Sequence, residues 1–284
     1  MFNDKPFCLS FVFFAFFVLR FQTPKGPRET KSKRRDKFIY NLFLSSKSLT
    51  HNHSISNSIF FNFESQKIWI VMYEDEKERL IKELIQQGIR DEKVLDAIRN
   101  VPRELFVPEV LRHQAYKNVA LPIGKGQTIS QPLTVAIMTE ALKVKKGMKV
   151  LEVGTGSGYQ AAILDYLGAR VFTIERDFDL FREARQRFNE LGLKISTICG
   201  DGTLGWNEFA PYDGIIVTAA APDVPKPLKD QLAIGGRLVI PVGSRTTQIL
   251  HILTKKDKDE FEIEKIPAFQ FVPLIGLEGW KEEF

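Results

Sequence analysis

The chain of 284 residues holds two cysteines, Cys8 and Cys199, and four histidines, His51, His53, His113 and His251. Neither set is clustered or carries metal-ligand spacing, which argues against a disulfide scaffold and against a metal site. A reducing, cytoplasmic setting is expected. An apolar run of membrane-spanning length is also missing: CLSFVFFAFFVL, Cys8 to Leu19, is too short to cross a bilayer comfortably. A basic surface is missing from most of the chain. The net charge of +5 is concentrated in residues 1–72, with 11 Lys+Arg against 4 Asp+Glu, and the remainder holds 29 against 31. A nucleic-acid partner is therefore not expected. No N-P-P-[YF] segment for chemistry on a flipped base occurs either.

What is present divides near Met72. Residues 1–71 contain 13 of the 23 phenylalanines, a basic run KSKRRDK, and a polar-aromatic stretch with neither helical nor strand period. Three readings of this leader stand: a translated segment outside the functional protein, an export signal or anchor, or a disordered targeting arm. The first is preferred, because a helical pattern opens directly after Met72. Residues 72–284 then form the working domain, with no membrane partner expected.

Within it, residues 72–145 read as a helical N-terminal part. Leu80, Leu84 and Ile85, then Val94, Leu95 and Ile98, recur at helical spacing, with Gly88 as a break, Asp91 as a cap and Pro102 as a stop. Residues 146–284 alternate strand and helix. KVLEV, RVFTIE, KISTIC and YDGIIVTAA read as strands, and PKPLKDQLAIGG as a helix that starts with Pro and ends with Gly. RLVIPVG, QILHILTK and FEIEKIPAFQFVPLI add three strands, the last two joined as an antiparallel hairpin. The expected fold is α/β, a doubly wound, mainly parallel Rossmann-like sheet.

LEVGTGSGYQ sets Gly154, Gly156 and Gly158 between a strand and a helix, spaced G-x-G-x-G rather than the G-x-G-x-x-G of dinucleotide binders. Glycines let the backbone approach a ligand closely, and the helix start offers N–H groups. Gly154, Thr155, Gly156, Ser157 and Gly158 are expected to line it. Glu152, just before the loop, suits a cationic ligand and would repel a pyrophosphate. Glu175 ends the next strand, where a carboxylate can take both ribose hydroxyls. Asp201 and Gly202 end the third, beside an adenine edge. An adenosine with a cationic amino-acid tail meets all three demands, and S-adenosylmethionine is such a molecule. The alternative is a plain tight turn with Glu175 as an exposed strand end.

Upstream, GKGQTISQP carries neutral donors and acceptors, Gln127, Thr128, Ser130 and Gln131, ahead of an apolar helix. If Pro132 is the first helical residue, Gln131 is the cap and Ser130 is free; if Pro132 is the second, Ser130 is the cap.

GQTISQP, VLEVGTGSGYQAAIL, YDGIIVTAAAPDVP, GGRLVIPVG and FVPLIGLEGW, in that order, resemble the protein-L-isoaspartate O-methyltransferases from about Met72 onward. The glycine loop by itself indicates only an S-adenosylmethionine-dependent methyltransferase; TISQP and FVPLIG are the specific signals. The resemblance implies methylation of the free α-carboxylate of L-isoaspartyl residues in damaged proteins and peptides, followed by closure to a succinimide. It implies Ser130 as the active-site serine; Gln127, Thr128 and Gln131, the neutral hydrogen-bonding neighbours, are expected to bind the substrate. A monomer is expected.

The absence of a base in TISQP has a chemical reason. A carboxyl group with a pKa near 4 is already ionised at pH 7, so it needs placement rather than deprotonation. Neutral donors can hold one oxygen and leave the other to react. Rival readings are a small-molecule methyltransferase, a nicotinamide-dependent oxidoreductase, and a non-catalytic binding protein on the same fold.

Overall fold

The computed structural model describes residues 73–281, and the expectations for the leader lie outside them. The opening helical pattern forms α1 (Glu74–Gln86) and α2 (Glu92–Asn100). Three acids in the first turn of α1 complement its positive dipole end. Asp91 caps α2 by accepting from the Lys93 amide at 2.8 Å. The expected residues are buried except Ile85, which is 42% exposed; Ile81 takes the inward place. At about 100° per residue, Leu80, Ile81 and Leu84 share an arc of about 100°, and Ile85 falls about 40° beyond it.

Two 3₁₀ turns, Arg103–Phe106 and Glu109–Gln114, lead to a hairpin that the periodicity does not announce. Its strands, β1 (Leu121–Gly124) and β2 (Gln127–Ile129), pair antiparallel. Lys125 and Gly126 both adopt positive φ, 52° and 69°, as a two-residue hairpin turn requires. Helix α3 (Pro132–Leu142) follows at once.

The core elements are β3 (Lys149–Val153), α4 (Tyr159–Tyr166), β4 (Arg170–Glu175), α5 (Phe178–Glu190), β5 (Ser196–Cys199) and β6 (Tyr212–Val217). After them come α6 (Lys226–Asp230), β7 (Leu232–Gly243), β8 (Gln248–Asp257) and β9 (Glu260–Phe269). The seven strands run in the order β5-β4-β3-β6-β7-β8-β9. Neighbours are parallel from β5 to β7 and antiparallel from β7 to β9. Both faces are covered. Val150, Val171, Ile216 and Val239 meet Met138, Leu164 and Phe188 on one side. Leu151, Phe172, Ile215 and Leu238 meet Leu228, Trp206 and Phe209 on the other. That double burial is why these strands read as continuous apolar runs.

β5 starts at Ser196, two residues into KISTIC, β8 runs two residues past QILHILTK to Asp257, and three boundaries differ more substantially from expectation. The helix in PKPLKDQLAIGG stops at Asp230, and Leu232 already pairs with Tyr212 in the sheet. The strand from Tyr212 ends at Val217 rather than Ala220. FVPLI does not continue the last strand: β9 ends at Phe269, and Pro273 makes one isolated parallel bridge to Ala220. Proline has no N–H to give to a ladder.

The chain builds outward from β3 through β4 to β5, then crosses back to lay β6 on the other side of β3. This reversal opens a crevice at the carboxyl ends of β3 and β6, the usual ligand position in such sheets.

Candidate active site

The crevice is one continuous cleft walled by four stretches: Gln127–Ser130, Glu152–Ser157 with Tyr159 and Gln160, Ile174–Arg176, and Val272–Ile275. Val135, Met138, Gly202, Thr218 and Ala219 complete it. The sequence-predicted residues Gln127, Thr128, Ser130, Glu152, Gly154, Thr155, Gly156, Ser157, Glu175 and Gly202 all line it. Gln131, Gly158 and Asp201 do not.

The glycines are there for closeness. A Cβ on Gly154, at φ +98°, would sit 2.5 Å from the Thr218 hydroxyl. That hydroxyl donates to the Gly154 carbonyl at 2.6 Å and ties the loop to the end of β6. A Cβ on Gly158, at φ +88°, would strike the Phe188 ring at 2.5 Å, so this glycine serves helix-to-helix packing behind the cleft. Four amides of the loop are already engaged within the protein. Gly154 and Thr155 donate to the Ile174 carbonyl, Gly156 to Glu175 and Gly158 to the Thr155 carbonyl. The loop can therefore meet a ligand by close backbone approach, and such a surface suits a sulfonium amino acid better than a phosphate.

Glu152 is wholly buried in the cleft wall. Its Oε2 accepts from the Thr173 hydroxyl at 2.5 Å, and Thr173 is in turn 2.6 Å from the Thr155 hydroxyl. Its Oε1 meets no partner at full hydrogen-bond geometry among the described residues. Burial pushes its pKa up to about 8, with the charge on Glu175 adding to the rise and the Thr173 hydroxyl opposing it. A buried carboxyl in a cleft wall is a receptor for a donor or a cation. Glu175 is held by two backbone amides, Gly156 to Oε2 at 2.8 Å and Asp177 to Oε1 at 3.0 Å. Each oxygen keeps a lone pair, so the carboxylate is oriented at the strand end and still able to accept from hydroxyls.

Asp201 does not line the cleft and is engaged within the protein. Its Oδ1 accepts from the Thr203 amide and hydroxyl, and its Oδ2 from the Leu277 amide at 2.8 Å. It caps the 3₁₀ turn after β5 and pins the C-terminal strap that carries Val272–Ile275 into the cleft. Gly276 packs directly on it: a Cβ there would be 2.1 Å from Oδ1.

On the opposite wall the ambiguity at Pro132 resolves. Pro132 is the first helical residue of α3 and Gln131 is the N-cap, without a side-chain capping bond. The Ser130 carbonyl accepts from Arg103 at 2.8 Å. Its hydroxyl makes no hydrogen bond among the described residues, and Ser130 lines the same cleft as the glycine loop. Asp213 is structural, accepting from the Lys149 amide at 2.7 Å. No group of three His, Cys, Asp or Glu among the described residues is arranged to hold a metal ion.

Sequence reasoning missed Gln160, Arg176 and the strap as cleft walls. FVPLIG signals family rather than position. The stretch VTAAAP contributes Thr218 and Ala219 to the cleft wall. Ala220 is engaged on both sides by the strap, its amide to the Val272 carbonyl and its carbonyl from the Leu274 amide, each at 2.8 Å.

A family model described as protein-L-isoaspartate(D-aspartate) O-methyltransferase (PCMT) matches residues 75–279. A protein-L-isoaspartate O-methyltransferase of Dictyoglomus thermophilum is 52% identical over 211 residues, 74% of this chain and 96% of that relative. One from Xanthomonas campestris pv. campestris is 53% identical over 200 residues, 70% of this chain and 89% of the relative. Among solved structures, a protein-L-isoaspartate O-methyltransferase aligns with a TM-score of 0.65 at 31% identity, covering 72% of this chain and 67% of that one. A Plasmodium falciparum protein of that name, in complex with S-adenosyl-L-homocysteine, aligns at 0.61 with 27% identity, covering 69% and 97%.

Proposed function

The chain belongs to the protein-L-isoaspartate O-methyltransferase family and is an S-adenosylmethionine-dependent protein carboxyl methyltransferase; from that premise we propose how its cleft divides the work. Glu152, the glycine loop from Gly154 to Gly158, Glu175 and Gly202 hold the cofactor. Gln127, Thr128, Ser130 and Gln131 belong to the side that receives the isoaspartyl peptide. Ser130 orients the carboxylate. Asp201 acts indirectly, through the strap.

The unengaged Ser130 hydroxyl, on a residue that lines the same cleft as the glycine loop, carries this reading. Bound S-adenosylmethionine supplies an electrophilic sulfonium methyl. An O–C bond forms at the carboxylate as the C–S bond breaks, and a cation and an anion become two neutral products. A site that excludes water favours such charge neutralisation, and the apolar side chains of Val135, Met138, Val272 and Leu274 support that exclusion. No group of the protein needs to accept a proton.

We further propose that residues 72–284 are the catalytic unit, with a helical part to residue 145 and the α/β core after it. It works as a monomer in the cytoplasm, without a nucleic-acid or membrane partner. The near-neutral charge beyond residue 72 supports the absence of a nucleic-acid partner. No helix among the described residues is long and apolar enough to cross a membrane.

The cofactor assignment is tested at Glu175. Glu175→Ala should weaken S-adenosylhomocysteine binding by about 30-fold, the size of one or two charge-assisted hydrogen bonds. It should leave a 2′,3′-dideoxy analogue nearly unaffected. Calorimetric titration reads both, and an equal loss for the two ligands would remove Glu175 from the ribose.

A further inference from the structure

Behind Ser130 lies a cation that does not itself line the cleft and has no counter-ion among the described residues. Arg103, in the 3₁₀ turn after α2, has no exposed surface. Its Nε donates to the Ala115 carbonyl at 2.9 Å and its Nη2 to the Ser130 carbonyl at 2.8 Å. The guanidinium lies 4.9 Å over the ring of Tyr159, the first residue of α4 and part of the cleft wall. The nearest acid in sequence, Glu104, is occupied by the Tyr116 hydroxyl. Arg103 Nη1 and the Tyr159 hydroxyl are buried; neither meets full hydrogen-bond geometry among the described residues, and a weaker side-chain interaction between the two residues helps to hold the charge.

Burying a cation against two carbonyls and a tyrosine, with no counter-ion among the described residues, is costly, and an apolar side chain would fill the same space with less penalty. The arrangement gains its sense from the substrate. A guanidinium bonded directly to the attacking carboxylate would hold it and blunt it. One residue back, the same charge attracts the anion through the polarised Ser130 peptide and leaves both carboxylate oxygens free. The ester product carries no charge at that group, so the attraction ends when the methyl arrives.

We propose that Arg103 is a positioning residue that fixes the Ser130 loop against α4 and supplies the remote positive charge by which the cleft prefers an ionised α-carboxylate. This rests on the assignment of Ser130 to the substrate side. Two peptides test it, one with an L-isoaspartyl residue and one identical but with its α-carboxylate as the carboxamide. Each is titrated by calorimetry into protein saturated with S-adenosylhomocysteine.

The wild-type protein should prefer the carboxylate. Arg103→Met should reduce that preference by about tenfold, the order expected of one charge acting in a partly buried site. Arg103→Lys, which keeps the charge and loses the fork, should retain the preference within about threefold while lowering kcat. Equal weakening of both peptides in Arg103→Met, or an unchanged preference, would reduce Arg103 to a structural prop. If Arg103→Met does not fold, Arg103→Lys decides: loss of the preference with the charge intact overturns the proposal. A wild-type protein that methylates no isoaspartyl peptide would instead overturn the reading of the site itself.

Discussion

Ser130→Ala should lower kcat for methyl transfer to an isoaspartyl peptide by about 100-fold, the scale of losing one orienting donor at a reacting oxygen. Three observations make this a clean substitution. Gln131 is the cap of α3, so the serine hydroxyl has no capping duty. The loop is held through the Ser130 carbonyl by Arg103, and alanine keeps that bond. The hydroxyl has no other partner to leave unsatisfied. The unfolding free energy should therefore change by less than about 0.5 kcal/mol, and Tm by no more than about 2 °C. S-adenosylhomocysteine should bind within about twofold of wild type. Parallel losses of kcat, cofactor affinity and Tm would mean that the hydroxyl is structural.

Glu152→Gln should separate binding from stability. The buried carboxyl, which lines the cleft and whose Oε1 meets no partner at full hydrogen-bond geometry among the described residues, is assigned to the cationic tail of the cofactor. Removing its charge should weaken S-adenosylhomocysteine binding by about 30-fold or more, as when one partner of a buried charge pair is lost. The ligand-free protein should respond in the opposite direction. Burial raises the folded-state pKa from 4.5 to about 8. Below pH 4.5 the carboxyl is neutral in both states, and above about 8 it is ionised in both. Between the two, the unfolded chain ionises first, so this group's contribution falls as pH rises, by about 1.4 kcal/mol per unit. Glutamine does not titrate. Ligand-free Glu152→Gln should therefore gain on wild type from pH 5 to pH 8.5 and exceed it in Tm by at least ~5 °C at the upper end. A constant difference across that range would contradict the buried, protonated carboxyl.

The parts legible in the sequence share one property: their physics is local or periodic. β3, β4 and β6 are continuous apolar runs because both faces of the sheet are covered. The glycine loop is marked by residues that only a close approach requires. Asp91 and Pro132 announce helix starts through chemistry contained in one turn. What stayed hidden depends on distant partners. Asp201 ends its strand where a ligand-binding acid would, and only the Leu277 amide, 76 residues on, shows that it pins a strap. Leu232 to Gly236 read as the tail of a helix until Tyr212 supplies a strand for them to pair with. Arg103 sits in NVPRELFVP with no feature that separates it from a surface arginine. Its burial comes from three elements closing on it, at Ala115, Ser130 and Tyr159. Ser130 lies between these cases, since spacing left two positions for the cap and the backbone chose one.

The central claim is that this cleft transfers a methyl group to the α-carboxylate of isoaspartyl residues. Its direct test is label transfer from S-adenosylmethionine, using protein that begins at Met72. The acceptors are paired synthetic peptides that differ only in L-isoaspartyl or normal L-aspartyl at one position. Base-labile label on the isoaspartyl peptide alone is the predicted result. Equal labelling of both peptides, or none on either while the cofactor still binds, would contradict it.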